Sequence, residues 1–295
     1  MIYNNVPNIF DRKRLGKHRL RAVANFSEYD FLFREMAHRL CDRLEYINRD
    51  FPLALDLGAR SGILAETLQG RGKIKTLIQM AVAQELLRAA QNANNTINLV
   101  GDEELLPFAD NKFDLVMSVG SLHWVNDLAG TLIQIQRSLK PDGLFLAVFF
   151  GGQTLHELRA SFEKAEIEYR GGVSPRISPF IDVQTAGSLL QRAGFALPVV
   201  DSEIVTVEYS HPLKLMKELR YMGESNSLAE CEKNFTPCSL MMSAVDNYLR
   251  DFSNNDNRIT ASFELITLTG WKPHSSQQKA ASRGSGKVSL AKTIS

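Results

Sequence analysis

Cysteine is scarce in this chain: Cys41, Cys231 and Cys238 are the three in 295 residues, and no two fall in a Cys-x-x-Cys spacing. An odd count without that spacing excludes a disulfide framework and a thiolate zinc site, and it fits a reducing compartment. An excess of one charge is also missing. Lys and Arg number 34 against 33 Asp and Glu, a net of +1, so no whole-molecule field recruits nucleic acid. No apolar run approaches the roughly 18 residues that a membrane-spanning helix needs. Residues 1–9 lack the apolar core of a signal peptide and the Arg- and Ser-rich, acid-poor texture of a transit peptide. The expectation is a soluble cytoplasmic protein with no nucleic-acid partner, no metal and no transmembrane segment, peripheral association with a membrane being left open.

What is present is ordinary in bulk and uneven in placement. Hydrophobic residues make up 44% and charged residues 23%, enough for a sizeable core. Arg12, Lys13, Arg14, Lys17, Arg19 and Arg21 crowd into one short stretch. That stretch reads first as a solvated helix face, with docking of an acidic partner as the alternative. Residues 26–48 carry Leu32, Phe33, Met36, Leu40 and Leu44 at helical spacing. From there short apolar runs at 53–57, 74–78, 97–100, 113–119 and 144–150 alternate with helical stretches from 63, around 83–92 and over 128–139. This alternation predicts a mostly parallel, doubly wound α/β sheet. Helices are expected at the start of 154–181, over 183–193 and within 212–252, with closing strands at 204–209 and 259–268. The domain reading is a helical extension over 1–50, a core domain over 51–270 with its centre at 51–150 and insertions near 154–181 and 211–256, and a flexible tail over 271–295.

The first strand ends in Leu53-Ala-Leu-Asp-Leu-Gly-Ala-Arg-Ser-Gly62 and runs straight into a helix. Ligands of doubly wound folds sit at the carboxyl ends of strands, and a glycine such as Gly58 lets backbone approach them closely. A dinucleotide fingerprint would need glycines at 58, 60 and 63, where the chain has Gly58, Arg60 and Ile63. S-adenosylmethionine asks for less: a close approach at Gly58 and a carboxylate, Asp56, near its amino-acid end. A plain strand-to-helix turn is the structural alternative.

Downstream strings narrow the choice. Val100-Gly-Asp-Glu-Glu-Leu-Leu-Pro-Phe-Ala-Asp-Asn-Lys-Phe-Asp114 leads into Leu115-Val-Met-Ser-Val-Gly-Ser-Leu-His-Trp-Val125, and Leu139-Lys-Pro-Asp-Gly-Leu-Phe-Leu146 follows. In this order, residues 50–150 resemble class I S-adenosylmethionine-dependent methyltransferases, a Rossmann-like fold with a mostly parallel seven-stranded sheet. By that resemblance Gly58 and Gly62 shape the cofactor loop, Asp102 and Glu103 face the adenine, and Ser118 and Val119 line the cleft. Across the whole chain, Asn8-Ile-Phe-Asp-Arg12, His123-Trp-Val-Asn-Asp-Leu128, Gly171-Gly-Val-Ser-Pro-Arg-Ile-Ser-Pro-Phe180, Gln191-Arg-Ala-Gly-Phe195, Leu219-Arg-Tyr-Met-Gly-Glu-Ser-Asn226 and Thr269-Gly-Trp-Lys-Pro273 resemble the methyltransferase-like assembly-factor family of respiratory complex I and its alphaproteobacterial counterparts. The biotin-synthesis methyltransferases acting on malonyl-carrier protein are a more distant likeness. The resemblance implies a bacterial protein acting on a protein substrate, a complex I subunit, by methylation or by hydroxylation of an arginine; a non-catalytic assembly factor is the third reading.

Two residues depart from the pattern. Arg60 stands at the central glycine of the first motif, and Ala81 stands where a carboxylate accepts the ribose hydroxyls. Losing such a charge-assisted pair costs about 1.5–3 kcal/mol, about ten- to a hundred-fold in affinity, unless Glu85 or Gln79 substitutes. S-adenosylmethionine is therefore expected to bind weakly. His123, beside Trp124, is the candidate general base, with a packed aromatic pair as the alternative. None of the six histidines precedes an acid at the His-x-Asp/Glu spacing of a facial iron triad. Arg176 lies in a loop stiffened by two prolines, read as a lid over the cofactor or an ordinary surface loop. Met216, Met241 and Met242 read as core fillers.

Overall fold

In the computed structural model the described residues are 8–88, 95–232, 234–278 and 284–285. The end of the helix expected around 83–92 and most of the expected tail lie outside them. Seven strands form one sheet in the order β3-β2-β1-β4-β5-β7-β6. They are β1 (Leu53–Leu57), β2 (Thr76–Ala81), β3 (Thr96–Val100), β4 (Phe113–Val119), β5 (Leu139–Phe150), β6 (Ala196–Tyr209) and β7 (Ile259–Trp271). β7 alone runs against its neighbours, paired antiparallel to both β5 and β6.

The central strands are buried on both faces, which is why they read as continuous apolar runs. Ala54, Leu77, Leu115, Leu146 and Val148 face α3 (Phe31–Glu45) and α4 (Ile63–Leu68). Leu55, Leu57, Val116, Phe145 and Phe149 face α6 (Leu128–Ser138) and α8 (Val183–Arg192). Burying these two faces supplies most of the drive to fold, at about 25 cal/mol per Å² of apolar surface.

Three differences from the sequence reading have local causes. The stretch over 26–48 is not one helix. It breaks at Asp30 (φ −84°, ψ 4°) into α2 (Phe26–Tyr29) and α3, and the Asp30 carboxylate takes the Nε–H of Arg34 at 2.9 Å. β5 begins at Leu139, because that residue already pairs with Phe113 across an irregular register. β6 begins at Ala196, eight residues before the expected strand, because its partner β7 extends to Trp271. Pro198, Asp201 and Glu203 hide that edge from a periodicity reading.

The remaining helices are α1 (Arg12–Ala22), α5 (Gln84–Arg88), α7 (His156–Arg170), α9 (Pro212–Tyr221) and α10 (Cys238–Phe252). β1 connects outward to β2 while β4 lies on its other side, so a switch point opens at the carboxyl ends of β1 and β4. The helix α1 is packed there. Among the described residues no helix is long and apolar enough to cross a membrane.

Candidate functional site

The loop leaving β1 turns on Gly58 (φ +79°) and Gly62 (φ +75°), a conformation that a side chain disfavours. The Gly58 and Ala59 amides donate to the Met80 carbonyl at 2.9 and 2.8 Å, pinning the loop to β2. A Cβ at Gly58 would lie 2.2 Å from Ser121 Oγ. Here the close approach at Gly58 is to the protein's own serine.

Glu103 is fully buried and accepts Ser121 Oγ–H at 2.6 Å, Arg19 Nη1–H at 3.2 Å and a bond from Arg12. Burial alone would raise this carboxyl, but Arg12 and Arg19 outweigh it and hold it at about 2. Arg12 also reaches Asp102 at 2.7 Å. The N-terminal basic stretch is thus split by the helix period. Lys13, Lys17 and Arg21 are exposed, whereas Arg12 and Arg19 turn inward onto the carboxylates expected at the adenine. Neither a solvated face nor a free docking patch describes those two arginines.

Ser118 donates its hydroxyl to the Leu57 carbonyl at 2.8 Å and ties β4 to β1. Asp56 is buried on the face of β1 that carries Ala54; burial pushes its carboxyl up to about 7, opposed by Gln79 at its side. Gln79 is the register partner of Asp56 on β2, its side-chain amide buried without a hydrogen-bond partner, and Glu85 is exposed. Ala81 packs into a small apolar cluster with Ala59, Leu86 and Leu87.

Arg60 does not project into open space. Its guanidinium lies over the Phe33 ring at 4.5 Å, donates Nη1–H to the Met222 carbonyl at 3.1 Å and pairs through Nη2 with Glu224 at 2.6 Å. The other oxygen of Glu224 accepts Trp124 Nε1–H at 2.6 Å and lies 3.0 Å from His123 Nε2. Burial holds the imidazole below its ordinary range against the pull of Glu224, so Nε2 of the neutral ring donates and the lone pair sits on Nδ1, which has no partner. His123 packs edge-on to Phe150 and Phe180, with centroids 5.0 and 5.1 Å away. His123 is a packed ring, as the aromatic alternative had it, and its Nδ1 is left without a hydrogen-bond partner. Glu224, which joins Arg60 to that pair, was visible in the sequence only as part of Gly-Glu-Ser-Asn.

Beside this carboxylate is an apolar cavity of about 260 Å³. Trp124, Phe150, Phe162, Phe180 and Phe263 supply aromatic walls, and Glu224 is the anionic group among its lining residues. The Arg176 loop covers this cavity, through Arg176, Ile177 and Ser178. Arg176 donates Nε–H to Glu166 at 2.6 Å and Nη1–H to Thr236 at 2.8 Å. The loop expected over the cofactor thus lies over the aromatic cavity instead. Of the three methionines, Met216 lines that cavity, Met241 is half-buried against the core and Met242 is half-exposed. Among the described residues no cluster of His, Cys, Asp and Glu is placed to hold a metal ion.

The family profile described as a methyltransferase domain matches residues 55–147. The arginine-hydroxylase NDUFAF5, mitochondrial, of Danio rerio is 42% identical over 287 residues, 96% of this chain and 89% of that one. The chain belongs to the arginine-hydroxylase NDUFAF5 family. The Homo sapiens member is 42% identical over 286 residues, 96% of this chain and 82% of its own. A malonyl-[acyl-carrier protein] O-methyltransferase of Xylella fastidiosa is 30% identical over 272 residues, 90% of each chain. Among solved structures, the YcgJ protein of Bacillus subtilis superposes with a TM-score of 0.57 at 17% identity, over 81% of this chain and 99% of its own. The phosphoethanolamine N-methyltransferase 2 of Haemonchus contortus, in complex with S-adenosyl-L-methionine, gives 0.52 at 16% identity, over 85% of this chain and 57% of its own. The expected class I methyltransferase fold is therefore the fold of this family member.

Proposed function

We propose that this protein modifies an arginine side chain of a protein substrate, a subunit of respiratory complex I, with the target inserted into the aromatic cavity. The observation that carries this reading is the cavity's composition: five aromatic walls, with Glu224 the one carboxylate and Arg176, itself paired with Glu166, the one cation among the lining residues. A guanidinium is recognised by the face of an aromatic ring, at about 0.5–2 kcal/mol per contact, and its methylene stem packs on apolar surface. Glu224, which also pairs with Arg60, is the acid at the cavity wall, and His123 lies 3.0 Å from it. The names of the NDUFAF5 relatives agree with an arginine target.

S-adenosylmethionine does not fit the cleft as it is arranged. Ala81 offers the ribose no acceptor, Glu103 is committed to Arg12, Arg19 and Ser121, and the space left between α1 and the loop is about 10 Å³, room for about one water. Binding requires α1 to yield, which supports a weakened affinity. The deciding experiment is mass spectrometry of complex I subunits from cells with the gene, without it, and complemented with Glu224→Gln. An arginine heavier by one oxygen, present with the wild type alone, supports the reading; one methylene instead assigns methylation. Identical spectra in all three strains would overturn it in favour of a non-catalytic assembly role.

A further inference from the structure

A second cavity, of about 420 Å³, lies against the aromatic one. Its walls are mostly polar, and Pro175, Glu232 and Asn234 among them are exposed, so it opens to solvent. The two cavities share the lining residues Arg176 and Asn226, which therefore form the partition between them. Asn226 is the fixed half of that partition. Its Nδ2–H donates to the Pro175 carbonyl at 2.9 Å, and its Oδ1 accepts the Leu228 amide at 2.9 Å.

Arg176 is held differently. Its Nε–H and Nη1–H go to Glu166 and Thr236, and its Cζ lies 5.4 Å from the centroid of Phe162, a wall of the aromatic cavity. Nη2 has no hydrogen-bond partner among the described residues and lies 3.7 Å from Glu232. One guanidinium is thus flanked by two carboxylates, the buried Glu166 and the exposed Glu232 on the outer cavity. Glu166 does not depend on Arg176 alone. It also accepts the Ser174 amide at 2.6 Å, the Ser174 hydroxyl at 2.5 Å and Arg170 Nη2–H at 3.2 Å. The usual penalty for orphaning a buried carboxylate is avoided, and a turn of Arg176 towards Glu232 exchanges one ion pair for another.

We propose that Arg176 is a gate with two positions, shut on Glu166 and open on Glu232, and that the outer cavity is the vestibule through which a ligand reaches the aromatic cavity. The ligand named here, the target arginine, rests on the reading above; the gate adds its route of entry. Swinging out, Arg176 vacates the Phe162 face, a surface suited to the incoming guanidinium. The polar vestibule then takes the peptide groups on either side of the target residue, which need hydrogen-bond partners once they leave water.

Trp124 lines the aromatic cavity and is 1% exposed, and the chain has one other tryptophan, Trp271. The test is acrylamide quenching of Trp124 fluorescence in the full chain carrying Trp271→Phe, which reads the passage of a small neutral molecule into the cavity. Arg176→Ala removes the gate and should raise the quenching constant severalfold. Glu232→Gln removes the open position and should lower it about two- to fivefold, the worth of an exposed ion pair. Loosened packing speeds quenching and cannot slow it, so the Glu232→Gln result separates a gate from a damaged fold. An unchanged constant in either variant overturns the gate. Titration of the same chain with N-acetylarginine methylamide and with N-acetylcitrulline methylamide, read by Trp124 emission, tests the substrate reading apart from it. Gated quenching without preference for arginine keeps the gate and overturns the arginine site; preference for arginine with ungated quenching does the reverse.

Discussion

Buried on β1 beside Gln79, Asp56 keeps its proton up to about pH 7 rather than its ordinary 3.8. A carboxyl whose value is raised on folding stabilises the fold in its protonated form. That contribution is complete below pH 3.8 and is lost as pH rises through 7, at about 1.4 kcal/mol per unit. Urea unfolding between pH 5 and 8 should show wild-type stability falling towards pH 7 and flattening above it, with Asp56→Asn removing that slope. Gly58 makes a second residue-scale case. In Gly58→Val the Cβ would strike Ser121, at a position whose φ is +79°. The expected result is a loss of about 2 kcal/mol or more, by the usual cost of overpacking plus a left-handed backbone, and only partial recovery in Gly58→Val with Ser121→Gly. Thermal unfolding of the single and double variants measures both. Cys41, pushed up to about 12 by burial, should resist maleimide in the native chain while exposed Cys238 reacts.

At the scale of elements, α1 changes meaning between sequence and structure. Six basic residues in a row of helix looked alike because composition carries no direction. The helical period then sends Arg12 and Arg19 inward and leaves Lys13 and Lys17 in water. Reversing Arg12 to Glu sets a fourth carboxylate against Asp102, Glu103 and Glu104 and should cost about 3–5 kcal/mol. Lys13→Glu should stay within about 0.5 kcal/mol of wild type. Denaturant midpoints compare them, and equal midpoints would return the whole segment to a solvated face. The strands β1 and β4 and the helices α6 and α8 were legible in advance because burial on both faces, or on one stripe, writes itself into the period of apolar residues. The early start of β6 and the break at Asp30 were not legible, since an edge strand and an aspartate paired with Arg34 one turn on leave no such period.

For the whole molecule, the fold and the cleft's address could be read from the residues at 53–62 and 100–125, but the cleft's contents could not. What fills it comes from α1 and from residue 224, distant in sequence, and only tertiary packing brings those side chains to Glu103 and Arg60. Isothermal calorimetry should find S-adenosylmethionine bound weakly, with a gain of about ten-fold or more in Ala81→Asp. Tight wild-type binding that Ala81→Asp leaves unchanged would show the ribose held by other groups.

The pairing of Arg60 with Glu224 also bears on the chain's history. Restoring glycine at position 60 would reopen the loop, yet it would strip a carboxylate whose side chain is only 5% exposed of its cation, leaving Trp124 and His123 as its hydrogen-bond partners. Orphaning one half of such a pair costs about 3–5 kcal/mol, against a total stability of about 5–15 kcal/mol for a domain. A lineage carrying Arg60 therefore cannot drift back by a single step without passing through a markedly weaker protein. The substitution works as a ratchet: easily held once the carboxylate has closed on it, and reversible only if residue 224 changes as well.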